Sequence, residues 1–208
     1  MLKTKWTLEE YNKYLEEPKT LCNPWRSVRL FDNPIIEAIT MGPWYLTPIC
    51  ILPWVLYLLS LNSLSAMPTI LWFCLGAISW TFAEYNLHRH LFHAEQSWLP
   101  DSPLFIAGHF VLNGIHHAFP QDAYRLVFPI IPAYFVVGLG VLPIPYYLLP
   151  EAIFPSFSAG LLYAYVLYEC IHFFMHFGKT TSKFLNKWKK LHNWHHYRMG
   201  KLGFGVTL

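Results

Sequence analysis

Four long apolar stretches constrain the fold of this chain more than any other feature. They cover roughly residues 43–64, 68–87, 126–149 and 153–177. A helix needs about 20 apolar residues to cross a bilayer, and each stretch approaches that length. Because short polar turns join the stretches in pairs, the pattern predicts an all-α integral membrane protein with four transmembrane helices in two hairpins. The alternative is a soluble helical domain, but soluble cores rarely need four runs of this length.

Lysine and arginine fall on one side of this topology. Of the fifteen such residues, six precede the first span, seven follow the fourth, and Arg89 and Arg125 lie between the second and third. Positive residues mark the cytosolic side of a membrane protein. We therefore expect one membrane domain over 1–208 with both termini cytosolic, a cytosolic or interfacial segment at 1–42 and a tail at 178–208. The net charge of +3 is too mild for a nucleic-acid partner.

The eleven histidines all fall on the side that carries the positive charge, so the topology predicts a cytosolic histidine-rich helical cap. Nine of them form spaced clusters and are the candidate metal ligands: His88, His93, His116, His117, His172, His176, His192, His195 and His196. Residues three or four apart share one face of a helix. Clustered neutral imidazoles with few thiolates favour iron, zinc or copper. A lone histidine is usually structural, whereas several clusters at one membrane face predict a metal site.

Two acidic residues lie near the ends of apolar spans, one helical turn before histidines. Glu84 precedes His88 by four residues, and Glu169 precedes His172 by three. A carboxylate at membrane depth is costly and usually functional. We expect each to support a ligand histidine by accepting its free ring N–H. The simpler alternative is an acid whose carboxylate extends from the helix end towards water.

The histidine clusters and their neighbouring residues together resemble a known family. The histidine pattern is His88-x4-His93, His116-His117, His172-x3-His176 and His192-x2-His195-His196. The accompanying phrases are EY at 84–85, LFH at 91–93, WLPD at 98–101, HF at 109–110, YRLV at 124–127 and GFGVT at 203–207. The chain resembles the fatty acid hydroxylase superfamily from about residue 26 to its end, and within it the fatty acid 2-hydroxylases.

The resemblance implies a multi-pass enzyme of the endoplasmic reticulum membrane. Such an enzyme holds two iron ions with about ten histidines, and zinc can occupy the same sites in a purified sample. It uses O2 and electrons from cytochrome b5 to place a hydroxyl on carbon 2 of the long or very-long acyl chain of ceramide, another sphingolipid or a fatty acid. No catalytic residue is implied beyond the metal centre. No cytochrome b5 domain is expected before the spans, so electrons would come from a separate cytochrome b5 and its reductase.

One residue departs from the pattern of the family. Asn113 stands where the second histidine cluster has a further histidine, three positions before the pair at 116–117. Asn113 could ligate a metal through its carbonyl oxygen or through a water, His109 or His90 could take its place, or one metal could be weakly held. The competing functions are a sterol oxidase or desaturase, another acyl hydroxylase of the superfamily, a catalytically dead metal-binding scaffold, and a transporter.

Overall fold

The computed structural model describes residues 6–198, 200 and 202–206, and within them all regular secondary structure is helical. The α-helices are α1 Leu8–Leu15, α2 Pro34–Ile39, α3 Leu46–Ser60, α4 Ala66–Leu87, α5 Pro103–His109, α6 Ile115–Ala118, α7 Ile130–Phe135, α8 Pro143–Leu148, α9 Phe154–Phe177 and α10 Lys183–Tyr197. Three π-helical segments and one 3₁₀ turn complete the described set: His88–Phe92, Phe110–Gly114, Val136–Val141 and Ala94–Gln96. Both ends of the chain, which the sequence predicts to be cytosolic, fall outside these residues.

Three helical stretches are long and apolar enough to cross a membrane, one fewer than the sequence predicts. They are Ala66–Phe92, Ile130–Leu148 and Phe154–Phe177. The first predicted span contains α3, a helix of 15 residues. At 1.5 Å per residue it extends about 22 Å, short of a hydrocarbon core of about 30 Å. The predicted span at 43–64 is longer than α3 because both ends of the apolar run lie in turns and not in the helix.

Helix α9 is the central element and packs closely against α4 and α3. Two glycines permit the close approach of α4 and α9. A methyl group on Gly76 would overlap the carbonyl of Phe157, and one on Gly160 would overlap the carbonyl of Phe73. Small residues of this kind let membrane helices meet backbone to backbone. This contact fixes the position of the helix that carries His172 and His176.

The stretch Ile130–Leu148, the third span predicted from the sequence, is not a regular α-helix. Between α7 and α8 the chain widens into the π-helical segment Val136–Val141, where the amide of Leu142 bonds to the carbonyl of Val137 at 2.8 Å. Pro132 and Pro143 lie in α7 and at the start of α8. Proline removes a helical donor and disturbs the preceding turn, which accounts for the interruption of the α-helix in this stretch.

A helical cap joins the ends of the long helices. It consists of the segment from His88 to α6, together with α10 and α1. Buried apolar residues hold α1 on α5 and α6, among them Tyr11, Ile106 and Phe110. The fully buried carboxylate of Asp122 accepts hydrogen bonds from Ser27 Oγ and from the backbone amides of Val28 and Tyr124. The chain before α2 is thereby attached to the loop that leads into the third span.

Candidate metal centre

Five buried histidines converge between α6, α9 and α10. They are His116 from α6, His172 and His176 from α9, and His192 and His196 from α10. Their ligand nitrogens all lie within 4.8 Å of one another. The spacing of four residues on α9 and on α10 places each pair on one helix face, as the sequence predicts. We call this set the five-histidine group.

Four further buried histidines form a second set, the four-histidine group: His88, His93, His117 and His195. Their ligand nitrogens also lie within 4.8 Å of one another. His88 and His93 are five residues apart, a spacing that suits an α-helix poorly. The π-helical segment accommodates it, because the amide of His93 bonds to the carbonyl of His88 at 3.1 Å. This i to i+5 bond is the π-helical one, and it brings both rings to the same group.

The two groups lie side by side, and two pairs of adjacent residues are divided between them. His116 and His117 send one ring to each group, and so do His195 and His196. Neighbouring residues on a helix project about 100° apart, so adjacent histidines can serve two different sites. The ring centroids of His117 and His196, from opposite groups, are 4.4 Å apart. The geometry therefore provides two neighbouring groups, each of which could hold a metal ion.

In the four-histidine group, the ring protons are held on the side away from the cluster. Nδ1 of His88 donates to the Phe204 carbonyl at 2.6 Å, and Nδ1 of His195 donates to the Leu202 carbonyl at 2.7 Å. Nδ1 of His93 lies 2.8 Å from a carboxylate oxygen of Glu95. A neutral imidazole that donates from Nδ1 has a lone pair on Nε2. Such outer partners orient histidine ligands in metalloproteins.

In the five-histidine group, ring nitrogens face one another at short distances. Nε2 of His192 lies 2.8 Å from Nε2 of His176 and 3.1 Å from Nε2 of His196. Nitrogens bound at right angles to a metal at about 2.1 Å would be about 3.0 Å apart, so these separations suit shared ligation. Both ring nitrogens of His116 and Nε2 of His172 are buried without a hydrogen-bond partner. A metal ion could bind one nitrogen of each ring.

Burial keeps these imidazoles in the form that binds metal. It lowers the pKa of His116, His117, His192 and His196 well below the ordinary value, and repulsion between neighbouring rings lowers it further. Burial, with the charge of His93, also lowers the pKa of His195, to about 4. All five are therefore neutral at pH 7, as metal ligation requires.

Asn113 and His109, the two further ligand candidates, lie outside both groups. Nδ2 of Asn113 donates to the Phe92 carbonyl at 2.7 Å. His109 has both ring nitrogens engaged, Nδ1 with the Tyr11 hydroxyl at 2.7 Å and Nε2 at 2.9 Å from the Phe92 carbonyl. His90 is exposed. Ligation by Asn113, directly or through a water, stays a prediction, and the contacts of His109 do not favour it as a ligand.

The two expected carboxylates, Glu84 and Glu169, are buried near the groups but have backbone contacts. Glu84 accepts the amide of Val206 at 3.1 Å, which anchors the strand-like segment that carries the Phe204 carbonyl. Glu169 accepts the amide of Phe128 at 3.4 Å. Support of a ligand histidine by Glu84 or Glu169 stays a prediction. Glu95, which the sequence analysis did not single out, has a carboxylate oxygen 2.8 Å from Nδ1 of His93. Its only signal was an acid two residues after His93.

Glu95 is an ionised carboxylate inside the cap. Burial by itself would raise its pKa, but hydrogen bonds and charge interactions with His109 and His93 outweigh burial and lower the pKa to about 2. Its two oxygens lie 2.8 Å from Nδ1 of His93 and 2.9 Å from Nε2 of His109. A buried anion at this distance favours the Nδ1–H tautomer of His93 and leaves Nε2 to face the four-histidine group.

An apolar cavity of about 140 Å³ reaches the two groups from the side of the membrane helices. His88, His116 and His172 lie in its wall, and so does Asn113. The remaining lining is mostly aliphatic or aromatic and includes Trp80, Leu126, Ala133, Val137, Val141, Tyr165 and Tyr168. Part of this lining comes from the π-helical segment Val136–Val141. The cavity therefore connects the candidate metal centre with an apolar space between α4, α7 and α9.

Fold and site together define a helical protein with three helices that could cross a membrane and two histidine groups that could each hold a metal ion. The profile of the fatty acid hydroxylase family matches residues 73–208. This chain therefore belongs to the fatty acid hydroxylase family, as its histidine pattern predicts.

Curated relatives and a solved structure agree with this assignment. The chain is 42% identical over 188 residues to the ceramide very long chain fatty acid hydroxylase SCS7 of Saccharomyces cerevisiae, covering 87% of this chain and 47% of that protein. It is 35% identical to the fatty acid 2-hydroxylase of Homo sapiens, covering 96% of this chain and 57% of the relative. The chain thus spans about half the length of these relatives. A structure described as full-length scs7p, with only the hydroxylase domain visible, superimposes with a TM-score of 0.91 at 36% identity, covering all of this chain and 77% of that one.

Proposed function

We propose that this chain is a fatty acid 2-hydroxylase that hydroxylates carbon 2 of the long or very-long acyl chain of ceramide or a fatty acid. The observation that carries the proposal is the apolar cavity whose wall includes His88, His116 and His172 from both histidine groups. A dihydroceramide fatty acyl 2-hydroxylase of Arabidopsis thaliana is 32% identical, and the chain covers 82% of it. That relative supports an acyl chain as the substrate.

The reaction converts a C–H bond at carbon 2, O2, two electrons and two protons into a C–OH bond and water. Two iron ions, when held by the five- and four-histidine groups, would supply the activation of O2. The protein would hold the acyl chain in the cavity against aliphatic side chains such as Val137 and Val141. The mostly apolar walls would also limit the access of bulk water to the reacting carbon.

Carbon 2 lies next to the headgroup, so a 2-hydroxylase must bind the headgroup close to its metals. Thr40 and Arg125, which are hydrogen-bonded to each other, form one polar part of the cavity wall. Arg125 is held in place by Thr40 and by its buried ion pair with Glu37. We infer that the acyl carbonyl binds at this part of the wall and that the tail follows the cavity into the membrane helices.

The proposal extends to location and electron supply. With the three helices that could cross a membrane, Arg125 and the Lys and Arg residues that follow α9 lie on the same side as the histidine groups, and this supports a multi-pass protein of the endoplasmic reticulum with the histidine groups facing the cytosol. Electrons would come from a separate cytochrome b5 and its reductase. Glycosylation acceptor sites introduced into the turn at 61–65 and beside α10 would test the orientation: modification is expected only in the turn, and modification beside α10 would reverse it.

Lipid mass spectrometry of cells that express the chain tests the activity. Wild type should produce 2-hydroxy acyl ceramide, and His172→Ala should produce none. Leu167→Ala, a lipid-exposed change on the same helix, is the matched control and should retain product. Oxidised sterol without 2-hydroxy acyl lipid would favour the sterol oxidase or desaturase alternative. Full metal loading without any product would favour a scaffold.

A further inference from the structure

A chain of buried polar contacts runs outward from the four-histidine group to the N-terminal helix. Nδ1 of His93 lies 2.8 Å from Oε1 of Glu95, and Oε2 of Glu95 lies 2.9 Å from Nε2 of His109. Nδ1 of His109 lies 2.7 Å from the hydroxyl of Tyr11 on α1. All four side chains are buried, and Tyr11 is fully so. Only His93 at the inner end belongs to a histidine group.

The chemistry of the partners fixes the direction of this chain. Nε2 of His109 bonds to the Phe92 carbonyl at 2.9 Å and lies 2.9 Å from Oε2 of Glu95, a contact at ion-pair distance without hydrogen-bond geometry. With a ring proton on Nε2, Nδ1 of the same ring can accept from the Tyr11 hydroxyl. At the other end His93 donates from Nδ1 to the carboxylate. Gln96 Nε2 lies 3.0 Å from the same Nδ1 but donates to the Gly200 carbonyl at 2.9 Å, so the carboxylate is the acceptor for the Nδ1 proton and Nε2 of His93 faces the four-histidine group.

Helix α1 is placed firmly enough to hold this contact. Its first turn is closed by a capping box between Thr7 and Glu10, and the amide of Leu8 donates to Asp101 at 2.8 Å. The Tyr11 hydroxyl lies so close to Gly114 that a methyl group there would overlap it. Gly114 immediately precedes α6, which carries His116 and His117. The hydroxyl thus meets the same segment that supplies both groups.

We propose that Glu95 is a positioning residue for His93, and that His109 and Tyr11 extend its hold to α1, so that the seating of α1 controls metal affinity in the four-histidine group. Among the described residues, the hydrogen bonds and ring contacts that His93, Glu95, His109 and Tyr11 make with the two histidine groups reach members of the four-histidine group only. The inference rests on the proposed metal centre, and it assigns His109 a supporting role instead of a ligating one.

Zinc content of the purified full chain in detergent tests this inference without any need for turnover. Samples are equilibrated at a series of buffered free-zinc concentrations, and bound zinc per chain is measured by mass spectrometry. Wild type should bind two zinc ions. Glu95→Gln keeps the size of the side chain but not its charge, and it should weaken one of the two ions by roughly 10- to 100-fold, as loss of an outer partner does elsewhere.

Tyr11→Phe removes one hydroxyl and keeps the packed ring. It should weaken the same ion by a smaller factor, and Glu95→Asp should recover part of the loss. Glu16→Gln, an exposed charge change just beyond α1, is the control and should match wild type. Cobalt substitution adds a spectroscopic reading: the visible bands of one ion should shift in Glu95→Gln while those of the other stay unchanged.

The outcomes separate this inference from the proposed function. Two zinc ions of unchanged affinity in Glu95→Gln, or equal weakening of both, would overturn the positioning role. Selective loss of one ion would support it whether or not the chain hydroxylates lipid. A wild-type chain that binds no zinc would overturn the metal centre itself and this inference with it.

Discussion

Nε2 of His93 lies 3.1 Å from Nε2 of His195, although 102 positions separate the two residues along the chain. His93 closes the π-helical extension of α4, and His195 lies on α10. Neither helix could place its histidine here alone. The four-histidine group therefore depends on the complete fold of the described residues. A metal ion bound there would link the end of α4 to α10.

Removing one ligand from each group should remove different ions. We expect His195→Ala to lose the ion of the four-histidine group, and His176→Ala to lose that of the five-histidine group, each leaving about one ion per chain. The double variant should bind none. Metal affinity falls because the remaining imidazoles no longer complete a site. Mass spectrometry of purified protein gives the metal content, and the exposed change Lys187→Ala on α10 is the control. Loss of both ions in either single variant would contradict two separate sites.

Asn113 should limit the affinity of the four-histidine group. The side chain is buried, lies in the cavity wall with His88 and has no imidazole to offer. Asn113→His should add a fifth ring to that group and raise its zinc affinity at least tenfold, measured by competition with a chelator. Asn113→Gln retains the amide without an imidazole and should bring no gain. If Asn113→His bound zinc with the same affinity as wild type, another group would already occupy the fifth ligand position of the four-histidine group.

Much of the centre could be predicted because histidine spacing and span topology are local properties of the sequence. All nine clustered histidines predicted as ligands fall into the two groups. The division into five and four was not predictable, because His116 and His117 are adjacent and only the packing of α6 shows that their rings point to different groups. The spacing of His88 and His93 could not be interpreted without the π turn, which is seldom visible in sequence.

The outer partners and the span count were harder to predict for a physical reason. Hydropathy does not distinguish a helix from an apolar turn, so α3 was expected to be longer than its 15 residues. Glu84 and Glu169 drew attention because acids are rare in apolar spans. Glu95 lies in the cap, where acids are common, and only the folded contact with His93 distinguishes it.

The cavity makes a prediction about acyl length. Val137 lies in the cavity wall within the π-helical segment, so Val137→Trp should fill space that a long tail would occupy. We expect 2-hydroxylation of very-long acyl chains to fall at least tenfold, shorter chains to be less affected, and zinc content to stay unchanged. Leu139→Trp, two positions away and 76% exposed, should leave lipid products as in wild type. Unchanged chain-length selectivity in Val137→Trp would place the acyl chain elsewhere.

The glycine contact between α4 and α9 should set the thermal stability of the centre. Gly160 is buried, and an added methyl group would overlap the backbone carbonyl of Phe73, so Gly160→Ala must push the two helices apart. Overpacking of this kind costs about 1–3 kcal/mol, which lowers the unfolding midpoint of a chain of this size by about 5 °C. Gly138→Ala has no atom within 4 Å of the added carbon and is the matched control.

Thermal unfolding of the detergent-purified variants, followed by tryptophan fluorescence, gives these midpoints. Gly76→Ala should have a similar effect, because its added methyl group would overlap the Phe157 carbonyl on the other side of the same contact. Two changes in one contact are not independent, so the double variant should lose less stability than the sum of the single losses. Additive losses, or a midpoint for Gly160→Ala equal to that of Gly138→Ala, would show that the helices have room to adjust and that this contact does not fix the position of the histidines on α9.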